Sequence, residues 1–238
     1  MRGPKPFEGD ILKLGRYAYT GSGARPSAVY ANLRQSKMVR LALEEFRPTS
    51  ILDIGCGDGT YTAEFLEIEY VQSILGIDLN KSAISVAKKQ FVGDSRLIFD
   101  SASVQEVAKV GKKFDVVVLR GVLHHLENPE QMISLISSIS TQVVILEPNG
   151  WNPILKIIEK VNPYHRAHGE RSFTSLKLQK WLRSVGFQIE SLDFAILVPY
   201  FFPTFLISIF NNLERIVLKT PYINRLLLGT QVISAKLI

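Results

Sequence analysis

Three glycines that follow an aspartate carry the strongest chemical signal in the sequence. Asp53 lies near the end of an apolar run, 50–54, and Gly55, Gly57 and Gly59 follow at alternate positions. A glycine-rich turn between a strand and a helix lets a ligand approach the backbone closely, because glycine has no Cβ and accepts positive φ. Asp53 adds a negative charge, which suits a ligand with an ammonium group better than a bare phosphate.

The spacing of these glycines separates two kinds of cofactor site. A dinucleotide-binding turn has the spacing G-x-G-x-x-G, but this sequence reads G-x-G-x-G and continues with Thr60. The run D-I-G-C-G-D-G-T resembles motif I of the class I S-adenosylmethionine-dependent methyltransferases. Taken alone, the residues leave open a tight strand–helix turn that binds no ligand.

A second acid stands at the distance that this resemblance requires. The apolar strand 73–77 ends in Asp78, about 20 residues past the glycine turn, which is the spacing of a ribose-binding carboxylate. A carboxylate in this place can accept hydrogen bonds from both ribose hydroxyls. Two signals at the right mutual spacing favour a cofactor site more strongly than either does alone.

The resemblance also implies a role for each cofactor-binding residue. Asp53 with the Gly55 and Gly57 backbone would hold the methionine part, Asp78 the ribose, and the segment 100–102 the adenine. The full set of predicted cofactor contacts is Asp53, Gly55, Cys56, Gly57, Asp78, Leu79, Asp100, Ser101, Ala102 and Arg120. A helix N-cap formed by Asp100 or Ser103 is the alternative for the third segment.

Two adjacent histidines follow the next apolar strand, 114–120. The segment resembles the F-D-x-V-x-x-x-x-x-L-H-H-L-x-(D/N)-P element of small generalist family members, similar to the ubiquinone/menaquinone-biosynthesis and glycan-locus methyltransferases. Adjacent residues point to different faces of a helix, and no other ligand stands at metal spacing, so we predict no metal. We expect one of His124 and His125 near the site and the other to pack.

DNA and protein-amide methyltransferases carry (D/N)-P-P-(Y/F) where this chain has Leu-Arg-Gly-Val, so those targets are disfavoured.

The acceptor is expected at the loops that leave the carboxyl ends of the strands, where a doubly wound sheet binds its ligands. The predicted substrate contacts are Tyr19, Glu147, Asn149 and Tyr200, and the candidate general bases for a hydroxyl acceptor are His124, His125 and His168. Tyr19 belongs to an N-terminal segment that in such enzymes often closes over the cofactor. Aromatic packing of a loose segment explains it equally well.

The elements that must position these residues alternate between strand and helix. The sequence predicts an α/β fold with a doubly wound, seven-stranded, mostly parallel sheet, an N-terminal helical segment and an apolar helical insertion before the last strand. The resemblance implies that the last strand is antiparallel. We expect one methyltransferase domain over 1–238, divided into a cap segment (1–45), a cofactor-binding core (46–193), the insertion (194–229) and the last strand (230–238).

The insertion begins with an apolar run, 194–210, of nearly membrane-spanning length. Pro199 and Pro203 interrupt the run, so a transmembrane helix is not expected. One alternative is a helical insertion that packs on the sheet or at a dimer interface. The other is an apolar lid or a wedge on the membrane surface, which would admit a lipid-linked substrate.

Composition limits the class of protein. The 238 residues suffice for one α/β domain, and 28 basic against 22 acidic residues give a net charge of +6. The basic residues are scattered, so nucleic acid is not an expected partner. A single cysteine, Cys56, cannot form an internal disulfide and fits a reducing compartment. The first residues lack the apolar core of a signal peptide, so we expect a cytoplasmic protein that could act at the membrane surface.

The sequence therefore predicts methyl transfer from S-adenosyl-L-methionine to a small-molecule or lipid- or glycan-linked acceptor, with oxygen as the favoured atom. Peripheral membrane contact and a homodimer are both left open. The alternatives are a non-catalytic cofactor-binding subunit or interaction protein on the same fold, and an NAD-dependent oxidoreductase.

Overall fold

A seven-stranded sheet forms the centre of the protein in a computed structural model, which describes residues 11, 24–161, 171–197, 203, 205 and 207–238. The strands are β1 (Ser50–Ile54), β2 (Ser73–Ile77), β3 (Leu97–Asp100), β4 (Phe114–Arg120), β5 (Ser140–Pro148), β6 (Phe187–Ala195) and β7 (Thr230–Leu237). Their order is β3-β2-β1-β4-β5-β7-β6. Strands β1 to β5 pair in parallel, and β7 runs antiparallel to both β5 and β6. The predicted fold, including the antiparallel last strand, is confirmed.

Helices connect the strands. They are α1 (Pro26–Phe46), α2 (Thr60–Ala63), α3 (Lys81–Gln90), α4 (Val104–Val110), α5 (Pro129–Ser137), α6 (Pro153–Val161), α7 (Ser175–Ser184), α8 (Ile207–Leu218) and α9 (Ile223–Leu227). A helix follows the glycine turn, as predicted, but it is short. After Ala63 the chain tightens into a 3₁₀ turn at Glu64–Glu67. A second 3₁₀ turn, Leu123–His125, follows β4.

The central strands are buried on both faces, which explains their continuous apolar sequence. Ile51, Val116 and Val118 face one core layer, whereas Leu52 and Val117 face the other. All five are fully buried. Alternate residues of a strand point to opposite faces, so a strand between two helical layers needs apolar residues at every position.

The N-terminal helix and the insertion are joined by polar contacts. The Tyr30 hydroxyl donates to Asn211 of α8 at 2.8 Å, and the Arg34 guanidinium donates to Glu214 at 2.8 Å. Glu214 is fully buried and also accepts the Leu197 backbone N–H at 2.9 Å. The insertion is therefore anchored on α1 by a buried carboxylate.

One edge of the sheet collects the loops that matter for function. The loops after β1, β2, β3, β4 and β5 leave from the carboxyl ends of parallel strands. Thr230, the first residue of β7, pairs with both Pro148 and Ala195, the last residues of β5 and β6. Helices α6, α8 and α9 are therefore connected at this same edge. Within the described residues, no helix is both long and apolar enough to span a membrane.

Candidate active site

The glycine turn after β1 has room for backbone only. Gly55 has φ of 76°, and a Cβ there would lie 2.6 Å from Cγ2 of Val122. Gly59 has φ of 78°, and its Cβ would lie 2.5 Å from Cζ of Phe99. Both positions combine a left-handed conformation with a steric limit, so a side chain would strain the turn and collide with its neighbours. The two glycines therefore let the turn of residues 55–59, which we call the cradle, pack directly against Val122 and Phe99.

Asp78 ties the glycine turn to the end of β2. Its two carboxylate oxygens accept the Gly57 N–H at 2.9 Å and the Asn80 N–H at 2.8 Å. Each carboxylate oxygen has a further lone pair, so the half-buried group can still accept a hydroxyl. The sequence placed Asp78 and Gly57 in one site, and the structure brings them into direct contact.

Asp53 is buried behind the turn. Burial raises the pKa of its carboxyl group to about 7, and the Asp78 charge also raises it, while a hydrogen bond from Thr62 and the Arg120 charge lower it. The Thr62 hydroxyl donates at 2.5 Å. A nearby cation would favour the ionised form. The sequence analysis did not identify Thr62. Its only indication was a hydroxyl group in the first turn of the helix that follows the glycines.

The remaining predicted cofactor contacts surround this cradle. Burial raises the pKa of the Cys56 thiol, so it is held in its neutral form. Leu79 directly follows Asp78 and is 76% exposed, which is unusual for a leucine beside a polar turn. Asp100 and Ser101 are exposed at the end of β3, and Ala102 is half-buried.

In the segment 100–103, the alternative of a helix N-cap is observed, and the capping residue is Ser103. Its hydroxyl and backbone N–H exchange hydrogen bonds with Glu106 in a capping box at the start of α4. Asp100 does not cap the helix. Its carboxylate accepts the Ser101 N–H at 2.9 Å and lies 3.8 Å from the Lys88 ammonium. The N-cap belongs to Ser103, which leaves Asp100 exposed at the edge.

Arg120, at the end of β4, points toward α1. Its guanidinium donates to Ser36 Oγ at 2.9 Å and to the Asn32 carbonyl at 3.2 Å. It also stacks 3.6 Å from the centre of the Tyr61 ring. Arg120 thus joins α1, α2 and the sheet, and its predicted contact with the cofactor stays a prediction.

The best-ordered catalytic arrangement is a histidine held by a buried glutamate. Glu147, on β5, is fully buried, and one carboxylate oxygen accepts the backbone N–H groups of Val122 and Leu123 at 2.9 and 2.7 Å. The other oxygen lies 2.8 Å from Nδ1 of His124. Glu147 therefore holds both the backbone of Val122 and Leu123 and the ring of His124. We call the segment 122–125 the histidine turn.

His125 and Asn149 occupy different surroundings. His125 is exposed, with its ring 3.9 Å from that of His124. Asn149 is fully buried, and its amide nitrogen donates to the carbonyls of Arg225 and Leu228 at 2.6 and 2.7 Å. The structure gives Glu147 and Asn149 contacts within the protein, and their predicted contact with the substrate stays a prediction. The other predictions for this site, Tyr19, His168 and Tyr200, fall on residues outside those described.

Metal ligation has no support in the part of the chain that the structure describes. No three His, Cys, Asp or Glu side chains there come together as a group that could hold an ion. The absence of a catalytic metal stays a prediction.

Comparison with known proteins assigns the family. A family model described as a methyltransferase domain matches residues 30–192, which is more than half of the chain and includes strands β1 to β5 and the loops that follow β1 to β4. This chain belongs to the methyltransferase family. The family predicted from the glycine turn is thereby confirmed, as is S-adenosylmethionine as the cofactor.

Curated relatives of this methyltransferase family member include two O-methyltransferases. The mitochondrial ubiquinone biosynthesis O-methyltransferase of Saccharomyces cerevisiae is 22% identical over 200 residues, covering 74% of this chain and 62% of that protein. The malonyl-[acyl-carrier protein] O-methyltransferase of Halalkalibacterium halodurans is 30% identical over 106 residues, covering 43% and 37%. The chain spans less than two thirds of the length of either relative.

Solved structures confirm the fold of this methyltransferase. An S-adenosylmethionine-dependent methyltransferase from Archaeoglobus fulgidus superposes with a TM-score of 0.60 at 21% identity, covering 86% of this chain and 93% of that one. The magnesium protoporphyrin IX methyltransferase from Synechocystis, solved with its bound demethylated cofactor, gives a TM-score of 0.64 at 15% identity, with 92% and 91% covered.

Proposed function

We propose that this protein transfers a methyl group from S-adenosylmethionine to a hydroxyl oxygen of a small-molecule or lipid- or glycan-linked acceptor. The observation that carries the proposal is the pair formed by His124, after β4, and Glu147, on β5, with Nδ1 and the carboxylate oxygen 2.8 Å apart. When bound, the cofactor supplies a methyl group already activated on a sulfonium. The protein must then hold it, position the acceptor and remove a proton.

The chemistry of the cradle fits this cofactor. The left-handed Gly55 and Gly59 let the turn close tightly against Val122 and Phe99, and the Gly55 backbone is exposed. Asp78 would accept the ribose hydroxyls with its remaining lone pairs, and the exposed Leu79 would cover the flat base. Asp53 would face the ammonium group of the methionine part, and Asp100 with Ser101 and Ala102 would bind the adenine edge.

The histidine turn touches the cradle through Val122. Because a Cβ on Gly55 would lie 2.6 Å from Val122 Cγ2, the two turns are in van der Waals contact. His124 is two residues further along. A base on this turn is thus well placed to serve a nucleophile that faces the methyl group.

Glu147 gives His124 the properties of a general base. When Nδ1–H donates to the buried carboxylate, the other ring nitrogen, Nε2, is the one that accepts a proton. The carboxylate also stabilises the imidazolium that forms. A hydroxyl acceptor needs such a base, since it must lose its proton as it attacks. The names of the two O-methyltransferase relatives support oxygen as the target atom.

The test is a screen of hydroxyl-bearing acceptors with a labelled methyl donor, followed by a comparison of two histidine variants. His124→Ala should lower kcat by about 10²–10⁴-fold, the usual contribution of a general base. Its affinity for the cofactor, measured by calorimetry, should not change. His125→Ala, next to it but exposed, is the matched control and should retain most activity.

Two results would overturn the proposal. Full turnover in His124→Ala would remove the general base. Tight cofactor binding without transfer to any acceptor would instead support the alternative, a non-catalytic cofactor-binding subunit.

A further inference from the structure

Helix α6 turns its apolar side to solvent. Ile154, Ile157 and Val161 follow at spacings of three and four and so share one face, and all three are exposed. None of the residues of α6 is buried. A helix on a water-soluble protein ordinarily turns such a stripe to the core, so α6 is inverted.

Helix α8 shows the same inversion more clearly. Its outward stripe is Ile209, Leu213 and Ile216, whereas the side packed on the protein holds Val217 and the buried carboxylate of Glu214. The six aliphatic residues of the α6 and α8 stripes are between 44% and 66% exposed. In α8 the only acid is therefore buried, whereas three aliphatic side chains are exposed.

The short helix α9 connects α6 to α8. The Asn152 side chain, before α6, donates to the Leu227 carbonyl at 2.7 Å, and Asn149 donates to the Arg225 carbonyl. Helix α9 follows α8 after a short turn and adds the exposed Tyr222 and Leu226. Together α6, α8 and α9 form what we call the three-helix face, at the carboxyl edge of the sheet.

The charges on the three-helix face have one sign. Exposed cations on or next to its helices are Lys160, Arg215, Lys219 and Arg225. The three helices, which the structure describes completely, contain two acids, and both are already in ion pairs. Glu159 pairs with Lys156 at 2.9 Å, and Glu214 pairs with Arg34 at 2.8 Å. The outward charge is therefore positive.

We propose that the three-helix face docks on the surface of an anionic phospholipid bilayer. Exposed aliphatic and aromatic side chains favour the boundary between head groups and acyl chains. Lysines and arginines beside them are attracted to anionic head groups. Both features are present on these adjacent helices, and their acids are held in ion pairs.

A second copy of the chain suits this face less well. A two-fold dimer presents the same patch on both partners, so Arg215 and Lys219 would meet the same cations with no exposed acid on these helices to pair with. Like charges across an interface oppose association. A bilayer supplies the negative charge that a second copy lacks.

Docking in this orientation also has a consequence for the acceptor. Asn149, just after β5, contacts α9, and Glu147, two residues earlier, contacts His124, so β5 connects the face to the histidine turn. Delivery of a lipid-linked acceptor from the bilayer rests on the proposed function, but docking itself does not and can be measured without turnover.

The experiment is flotation of the full chain with vesicles. One set contains phosphatidylglycerol and phosphatidylcholine in equal parts, and the other contains phosphatidylcholine alone. The protein should float with the anionic set and be released by salt near 1 M, where charges are screened within about 3 Å. Ile209→Ser with Ile216→Ser should lower the partition coefficient at least about tenfold. Arg215→Gln with Lys219→Gln should lower it about thirtyfold at low salt.

The matched control is Val92→Ser with Val110→Ser, two valines that are each 81% exposed and lie outside the face. Its partitioning should equal that of the unaltered chain. Circular dichroism checks the fold, and the single change Ile216→Ser replaces any double variant that does not fold.

Three outcomes would overturn the proposal: no flotation with anionic vesicles, equal flotation with neutral vesicles, and an equal loss in the valine control. A dimer on size-exclusion chromatography that Ile209→Ser with Ile216→Ser converts to a monomer, without vesicle binding, would show that a second copy covers the face. Methyl transfer to a soluble acceptor can persist in each of these cases, so failure here is separable from failure of the proposed function.

Discussion

The two halves of the sheet's carboxyl edge use their polar side chains in opposite ways. Beside β1 and β2, Asp78 is half-buried and each of its oxygens has a further lone pair, and Leu79 is exposed. Beside β5, Glu147 and Asn149 are fully buried and bonded to the protein itself. In the first half Asp78 and Leu79 are accessible, while Asp53 behind them is buried and accepts from Thr62. The second half uses Glu147 and Asn149 to hold loops and helices in place.

This difference predicts where a substitution has its effect. A buried polar group must be hydrogen-bonded, and removing its partner leaves a donor or acceptor that is costly to bury. Substitutions in the β5 half should therefore lower stability, and substitutions in the β1–β2 half should lower cofactor affinity. The following experiments test this distinction, from the largest expected effect to the smallest.

Glu147→Ala should lower the free energy of unfolding by about 3–5 kcal/mol, because three hydrogen-bond donors around a buried carboxylate lose their acceptor at once. Two backbone N–H groups and the His124 ring would lose their acceptor. Urea denaturation measures the loss. The exposed Glu127→Ala, on the loop after β4 that Glu147 holds in place, should change stability by less than about 0.5 kcal/mol. A loss below about 1 kcal/mol in Glu147→Ala would refute the supporting role of Glu147.

Asp78→Ala should weaken binding of S-adenosylmethionine by about 1.5–3 kcal/mol, the range for hydrogen bonds to a charged group. Its effect on unfolding should be smaller, since two N–H groups, of the buried Gly57 and the half-buried Asn80, lose an acceptor, against three donors in Glu147→Ala. Calorimetry measures the affinity, with Asp193→Ala, an exposed acid on β6, as the control. Unchanged affinity would remove Asp78 from the ribose site.

The pH dependence of cofactor binding should report on Asp53. Burial raises the pKa of its carboxyl group to about 7, and a cationic ligand binds the ionised form. Affinity should therefore rise with pH up to about 7, by about tenfold for each unit below that value. Asp53→Asn should abolish this slope, and a slope that persists in Asp53→Asn would assign the titration to another group.

The same shift has a consequence for the unliganded protein. A carboxyl whose folded-state pKa is raised stabilises the fold fully below its ordinary pKa, and that contribution is lost as pH rises through the folded value. Stability of the unliganded chain should thus fall between about pH 4 and pH 7 on account of Asp53.

Tyr30→Phe should have the smallest effect, about 0.5–1.5 kcal/mol of unfolding free energy, because it removes one part-buried hydrogen bond to Asn211. Cofactor affinity should not change, since α8 adjoins the other half of the edge. A loss of affinity with stability unchanged would show that the two halves are coupled through α1.

The sequence predicted the cofactor half well because its signals are local. An apolar run, glycines at fixed spacing and an acid at the end of the next strand each occupy neighbouring positions, and the structure places Asp78 on the Gly57 backbone as that pattern requires. Periodicity and turn chemistry were enough for the strands and most helices.

The other half depends on contacts between distant parts of the chain. Glu147 binds residues 122–124 and Glu214 binds Arg34, and nothing near either acid shows whether it faces a substrate or the interior. A glutamate looks the same in the sequence whether it contacts a substrate or the protein interior. For that reason the internal contacts of Glu147 and Asn149 and the outward apolar stripes of α6 and α8 could not be predicted, and contact of Glu147 or Asn149 with the acceptor stays a prediction.

The position of β7 between β5 and β6 determines the order in which the chain can be completed during synthesis. Thr230–Leu237 is the only neighbour of β6 in the described sheet, so β6 leaves the ribosome long before it has a strand to pair with. Until β7 arrives, the edge of β5 also presents unpaired backbone groups. The nascent chain therefore carries two open strand edges, and a ribosome stalled before residue 230 would release an aggregation-prone intermediate.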